Sequence, residues 1–94
     1  MKYFVYILAS NRNGTLYIGS TNNLVKRTWE HKQKLVDGFT KRYGINQLVY
    51  YEIFDSAVAM IARERQLKQW NRLWKLKIIE TTNPDWNDLY PTII

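Results

Sequence analysis

The stretch KYFVYILASNRNGTLYIGSTNNL, residues 2–24, decides the fold. Its first eight residues are a nearly continuous β-branched and aromatic run, the composition of a central strand covered on both faces. Asn13-Gly14 is a pair that supplies the positive φ angles of tight hairpins. The chain is therefore expected to reverse at residues 11–14 and return through residues 15–20 as an antiparallel partner. In that second strand a period of two places Leu16 and Ile18 on one face and Tyr17 and Gly19 on the other. A glycine inside a strand marks close approach of a ligand or of another part of the chain. Tyr6 is expected beside Tyr17 across the hairpin, either as an ordinary aromatic pair or as one wall of a site.

Downstream, Thr21-Asn22-Asn23 offers three N-caps to a first helix over about residues 23–35, with Leu24, Val25, Thr28, Trp29 and Leu35 as its apolar stripe. Asp37-Gly38 breaks that pattern, and residues 40–46, TKRYGIN, read as a basic loop. Residues 47–54, QLVYYEIF, are a third strand by composition. Asp55 or Ser56 caps a second helix reaching about Trp70, and Asn71 caps a third over residues 72–80. The tail carries Trp86, Leu89, Tyr90, Ile93 and Ile94. It is too apolar to float, so it docks on the domain or on a second copy, a homodimer through the tail being the latter case. The order β-β-α-β-α-α predicts one α+β domain over residues 1–94: a small three-stranded mixed or antiparallel sheet, hairpin plus third strand, flanked by helices.

Lys and Arg number 14 against 8 Asp and Glu, a formal charge of +6, which points to a polyanionic partner and to nucleic acid first. With no cysteine and one histidine, a disulfide framework, a thiolate zinc site and a cysteine nucleophile are all excluded, and a reducing, cytoplasmic setting is expected. No apolar run approaches the ~20 residues that a membrane-spanning helix needs. Glycine-rich phosphate loops, nucleophile elbows and His-Glu-x-x-His are absent as well, so any metal would rest on one carboxylate.

Two elements carry residues out of pattern. On the second helix, Ala57, Met60, Ile61 and Leu67 share an arc that also contains Glu64, with Lys68 one turn on. A carboxylate placed there must meet a cation, either Lys68 at i,i+4 or a metal ion. On the first helix, Arg27 and His31 lie i,i+4 along the margin of the apolar stripe, placed to enter one site together.

Phe4-Val5-Tyr6, Tyr17-Ile18-Gly19, Arg27, His31 and Glu64 together resemble, in identity and order, the GIY-YIG nuclease superfamily. The likeness covers nearly the whole chain and is nearest to small stand-alone members, similar to the N-terminal nuclease of the bacterial excision-repair C subunit. Phe4 and Val5 depart from the first motif while its tyrosine remains. Residues 62–68 followed by Trp70 match the helix that carries the family's metal-binding glutamate, and Asn83-Pro84-Asp85-Trp86 matches the close of small members. The resemblance implies a metal-dependent endonuclease acting on nucleic acid, DNA favoured over RNA, of repair or recombination type.

By the same resemblance Glu64 is the single protein ligand of Mg²⁺ or Mn²⁺, and Arg27 holds the scissile phosphate. Tyr17 positions or deprotonates the attacking water with Tyr6 in support, and His31 is a further candidate proton acceptor. Lys68, Lys32, Lys34, Lys41 and Arg42 are candidate contacts to the nucleic-acid backbone or simply a solvated charged face. The rival readings are a catalytically inactive nucleic-acid-binding module of the same fold and an interaction protein docking through its tail.

Overall fold

A computed structural model describes residues 1–36 and 38–94, so Asp37 of the expected Asp37-Gly38 break lies outside the described residues. The order is β1 (Tyr3–Ala9), β2 (Leu16–Thr21), α1 (Leu24–Lys32), α2 (Phe39–Tyr43), β3 (Gln47–Phe54), α3 (Ala57–Gln69), α4 (Arg72–Thr82) and α5 (Tyr90–Ile93). This is the expected α+β architecture with two short helices added. The sheet is antiparallel throughout, in the order β2-β1-β3, with β1 in the centre. Val5 to Ala9 are fully buried or nearly so, as a central strand covered on both faces requires.

The two faces carry separate clusters. Val5, Ile7, Ala9 and Ile18 meet Leu67 of α3, Ile79 of α4 and Trp86; Tyr6, Leu8 and Leu48 meet Leu24 of α1 and Ile45, with Leu89 and Ile93 packed against them. A β-bulge in β3 helps to fill the first cluster. Leu8 faces Leu48 while Ile7 faces Tyr50, so the intervening Val49 joins Tyr50 on the same side. The tail passes from one face to the other round the outer edge of β3. The Leu89 amide donates to the Leu48 carbonyl at 2.7 Å, and Asp88 accepts from the Leu48 amide at 3.2 Å. Buried Asn83 pins the same segment by donating to the Val49 and Asn87 carbonyls at 3.0 and 2.9 Å. The apolar tail thus docks on its own sheet and shields an edge strand.

Three local expectations are corrected. In the hairpin it is Asn13 that takes the positive φ, at 58°, and not Gly14, over which the Asn11 and Ser10 side chains fold. Residues 40–43 of the expected basic loop are helical, within α2, closed by Gly44 in the left-handed region. The first helix ends at Lys32 and not near residue 35. The Leu35 amide reaches back to the Glu30 carbonyl and the Lys34 amide to that of His31, a Schellman closure with Lys34 at φ 58° where glycine is the usual occupant. Leu35 is left exposed, and Val25 and Trp29 also face solvent, while Leu24, Thr28 and His31 form the buried side. Because Lys34 carries a Cβ in a left-handed conformation, Lys34→Gly is expected to stabilise the protein by up to about 1 kcal/mol, read as a raised urea midpoint with unchanged slope.

Candidate active site

The site is built round β2, an edge strand, so groups on the two faces of the sheet reach one another past its exposed side. Register places Tyr6 opposite Gly19, with Tyr17 diagonal to it and opposite Leu8. The Tyr6 ring crosses directly over the glycine. A Cβ on Gly19 would sit 2.5 Å from the Tyr6 hydroxyl, 2.7 Å from Cζ and 3.0 Å from Cε2 of Tyr17. The unusual strand glycine is therefore the seat of a phenol. Tyr6, Tyr17 and His31 form a three-ring cluster with centroids 6.4, 6.0 and 5.6 Å apart.

His31 lies inside that cluster, 2% exposed, and not on a helix margin. Its Nε2 is 3.2 Å from the Tyr6 hydroxyl and its Nδ1 is 3.1 Å from the hydroxyl of buried Thr40 on α2. Burial, with the Arg27 charge adding to it, pushes the imidazole down to about 4, so it is neutral at pH 7. One ring nitrogen then donates and the other accepts. Burial likewise pushes the Tyr6 phenol up to about 12; the neighbouring Tyr17 and Glu64 act in the same direction, and Arg27 opposes them.

The His31 shift has a consequence for stability. With a folded value of about 4 against 6.5, the unfolded chain binds more protons between those limits. Stability is complete above pH 6.5 and falls as pH drops toward 4. At pH 5 the loss is expected to be at most about 2 kcal/mol. Urea unfolding of the protein and of His31→Gln at pH 7 and pH 5 checks this: the glutamine variant should lose that part of the pH dependence.

Glu64 stands on the other face, on α3. The Ser20 hydroxyl of β2 donates to its Oε1 at 2.5 Å and Lys68 donates to its Oε2 at 2.7 Å. Of the two cations the sequence left open, the structure contains the i,i+4 lysine. The carboxylate side chain is 19% exposed against 54% for its lysine. Burial works to raise Glu64, but Lys68 and Ser20 outweigh it and hold the group below the usual carboxylate range, ionised at neutral pH. Ser20 was not among the sequence candidates. Its place after the glycine, on the strand face opposite Tyr17, is the signal that could have found it.

Ser20 and Arg27 also line an open polar cleft of about 410 Å³, with Thr21, Asn22, Asn23, Lys26 and Glu30. Arg27 interacts with the Tyr6 hydroxyl and lies 3.5 Å from Glu30. Lys26, beside Arg27 in the first turn of α1, is a cation of this cleft that the sequence reading missed. The other candidate cations are dispersed. Lys32 is tied to Asp88 and to the Asn46 carbonyl, where it anchors the tail; Lys34 closes α1; Lys41 and Arg42 belong to α2, with Arg42 over the Tyr43 ring.

Residues 2–77 match the GIY-YIG catalytic domain. The chain belongs to the GIY-YIG family. Family membership implies nuclease-type function on a nucleic-acid substrate. Among curated proteins the chain is 39% identical over 85 residues to a UPF0213 protein of Syntrophus aciditrophicus, covering 89% of this chain and 95% of the relative. It is 35% identical over 78 residues to the UPF0213 protein SSP2268 of Staphylococcus saprophyticus, covering 83% and 94%. The solution NMR structure of the UPF0213 protein BH0048 from Bacillus halodurans shares the fold. The TM-score is 0.58 at 24% identity, covering 94% of this chain and 93% of that one. Among the described residues no helix is long and apolar enough to cross a membrane.

The donor set limits what the GIY-YIG site can hold. Among the described residues no three His, Cys, Asp or Glu gather as a metal cage. One ionised carboxylate beside a hydroxyl, with no sulfur donor, suits a hard oxygen-seeking cation whose shell is completed by water and substrate phosphate. Lys68, half exposed and on a flexible stem, must then yield its place on Oε2.

Proposed function

We propose that the chain is a divalent-cation-dependent endonuclease that hydrolyses phosphodiester bonds in nucleic acid, DNA before RNA, with Mg²⁺ or Mn²⁺ as the cation and a repair or recombination role. The observation that carries this reading is Glu64. It is an ionised, partly buried carboxylate, held by Ser20 of the edge strand β2, whose other face carries Tyr17, with Tyr6 of β1 and Arg27 of α1 on that same side. Glu64, with Ser20 beside it, would hold the cation, which when bound would acidify a water and neutralise phosphate charge.

Arg27 presents a guanidinium to the scissile phosphate and Lys26 extends the positive wall of the cleft, so charge growing on the phosphate oxygens meets fixed donors. Tyr17 orients the attacking water by its hydroxyl. With the His31 imidazole lowered to about 4 it is a weak base, and with the Tyr6 phenol raised to about 12 it stays protonated, so neither is matched to take a proton at pH 7. Their hydrogen bond fixes the Tyr6 ring, and through it the floor of the site, which makes His31 a positioning residue. The reading needs no second copy joined through the tail, since Trp86, Leu89 and Ile93 pack on the chain's own sheet.

The test is a nicking and cleavage assay on supercoiled plasmid, branched DNA and RNA with Mg²⁺ or Mn²⁺, repeated with chelator. Cleavage that chelator abolishes supports the endonuclease. Binding without cleavage under both metals would instead identify a catalytically inactive binding module.

A further inference from the structure

Away from the site, a shallow groove of about 290 Å³ is lined by Trp70, Trp74, Lys77, Ile78 and Thr81. The spacing of these residues makes one stripe of α4, continued back through the cap of α3. Trp70 and Ile78 rest on the core, but Trp74 lies outside it and is 52% exposed. The two indoles meet edge to face at 5.8 Å and 90°. That contact fixes Trp74, while the Asn71 side chain caps its backbone amide at 2.9 Å. A half-exposed indole on a well-capped helix presents a flat apolar surface to solvent.

The surroundings select a partner. The groove lining contains a lysine and no acid. α4 carries Arg72, Lys75 and Lys77 against Glu80 alone, whose carboxylate accepts from the Trp86 indole at 2.7 Å; Arg72 is turned to the hairpin, where it donates to the Asn13 and Gly14 carbonyls at 2.7 and 2.8 Å. Arg63 lies over the Trp70 ring at 5.1 Å, with its charge engaged by the Glu52 carboxylate, to which it donates twice at 2.9 Å, so the groove's own cation for a ligand is Lys77. An indole surface with a cationic rim is the arrangement that single-stranded nucleic acid uses, bases on the rings and phosphates on the cations. Trp70 caps the helix that carries Glu64, six residues on, a rise of about 9 Å along the axis.

We propose that this groove is a stacking platform for an unpaired base of the nucleic acid, with Trp74 giving the ring surface and Lys77 the phosphate contact. The choice of ligand class rests on the nuclease reading above. Titration of the full chain with single-stranded oligothymidine in EDTA, followed by tryptophan quenching and oligonucleotide anisotropy, separates the two, because it needs no turnover. Trp74→Ala is expected to weaken single-strand binding about tenfold. Trp74→Phe should restore most of it, Lys77→Gln should lower the salt slope by about 0.7, and duplex of equal length should bind independently of Trp74. Equal affinity of wild type and Trp74→Ala for the single strand would overturn the platform. So would self-association by sedimentation that Trp74→Ala abolishes, which would give the groove to a second copy. Trp74-dependent binding without any cleavage would keep the platform and remove the nuclease; cleavage with Trp74-independent binding would do the reverse.

Discussion

Glu64→Gln is expected to lose about 10³-fold or more of cleavage activity while the protein stays folded. The size follows from asking one carboxylate to hold the cation, since several kcal/mol of barrier lowering then depend on its charge. Among the described residues no cluster of acids or histidines stands by to replace it. The glutamine keeps the shape and still accepts the Ser20 hydrogen bond, so it removes charge and little else. The Lys68 pair is lost as well, but its lysine is half in solvent, and such pairs contribute under about 1 kcal/mol. Cleavage rates measured beside urea unfolding separate the outcomes. A folded Glu64→Gln with undiminished cleavage would leave the carboxylate as nothing more than a helix ion pair.

That rival reading is why the sequence alone could not decide Glu64. Periodicity shows that a charge sits on an apolar arc, and both Lys68 and a metal ion satisfy the need it creates. The structure contains the lysine and also adds Ser20, a contact 44 positions away in sequence that no helical pattern can contain. The hairpin pairing of β1 with β2 and the helix caps are legible for the opposite reason, because they depend on neighbours in sequence: Asn23, Ser56 and Asn71 all cap as their side chains predict, whereas the pairing of β1 with β3, Tyr3 opposite Phe54, is not local and is not legible. His31 was misplaced because the helix stripe was drawn through Trp29 and Leu35. Lys34 turns the chain before Leu35 can join the buried side, and the face rotates toward Thr28 and His31. The helix at residues 39–43 was hidden by its basic composition, although Gly44 after it is a usual stop signal. The period of two sets Tyr17 and Gly19 on one face, and the hairpin brings Tyr6 beside Tyr17. What that period could not supply was register, and register puts the Tyr6 hydroxyl over the glycine.

Gly19→Ala should therefore damage the site well beyond what one methyl group suggests. The added carbon would lie 2.5 Å from the Tyr6 hydroxyl and 2.7 Å from its Cζ, well inside contact distance. Tyr6 has nowhere to retreat: it is 1% exposed, packed with Leu8, Leu24 and Leu48, and bonded to His31. Relief must come from a shift of the ring, which breaks that bond, or of β2, which carries Tyr17 and Ser20 with it. Overpacking of this kind costs about 1–3 kcal/mol. A displacement of about 1 Å at reacting groups is worth about 10²-fold in rate, so cleavage should fall by that factor at temperatures where the variant is folded. Tyr6→Phe removes the nearest of the colliding atoms. The stability cost of Gly19→Ala should consequently be smaller in that background, with a coupling of at least 0.5 kcal/mol in the double-mutant cycle. Additive costs would mean that the alanine is accommodated by the strand and not resisted by the phenol. In that case the glycine would serve the backbone alone, and its place beneath Tyr6 would have no part in shaping the site.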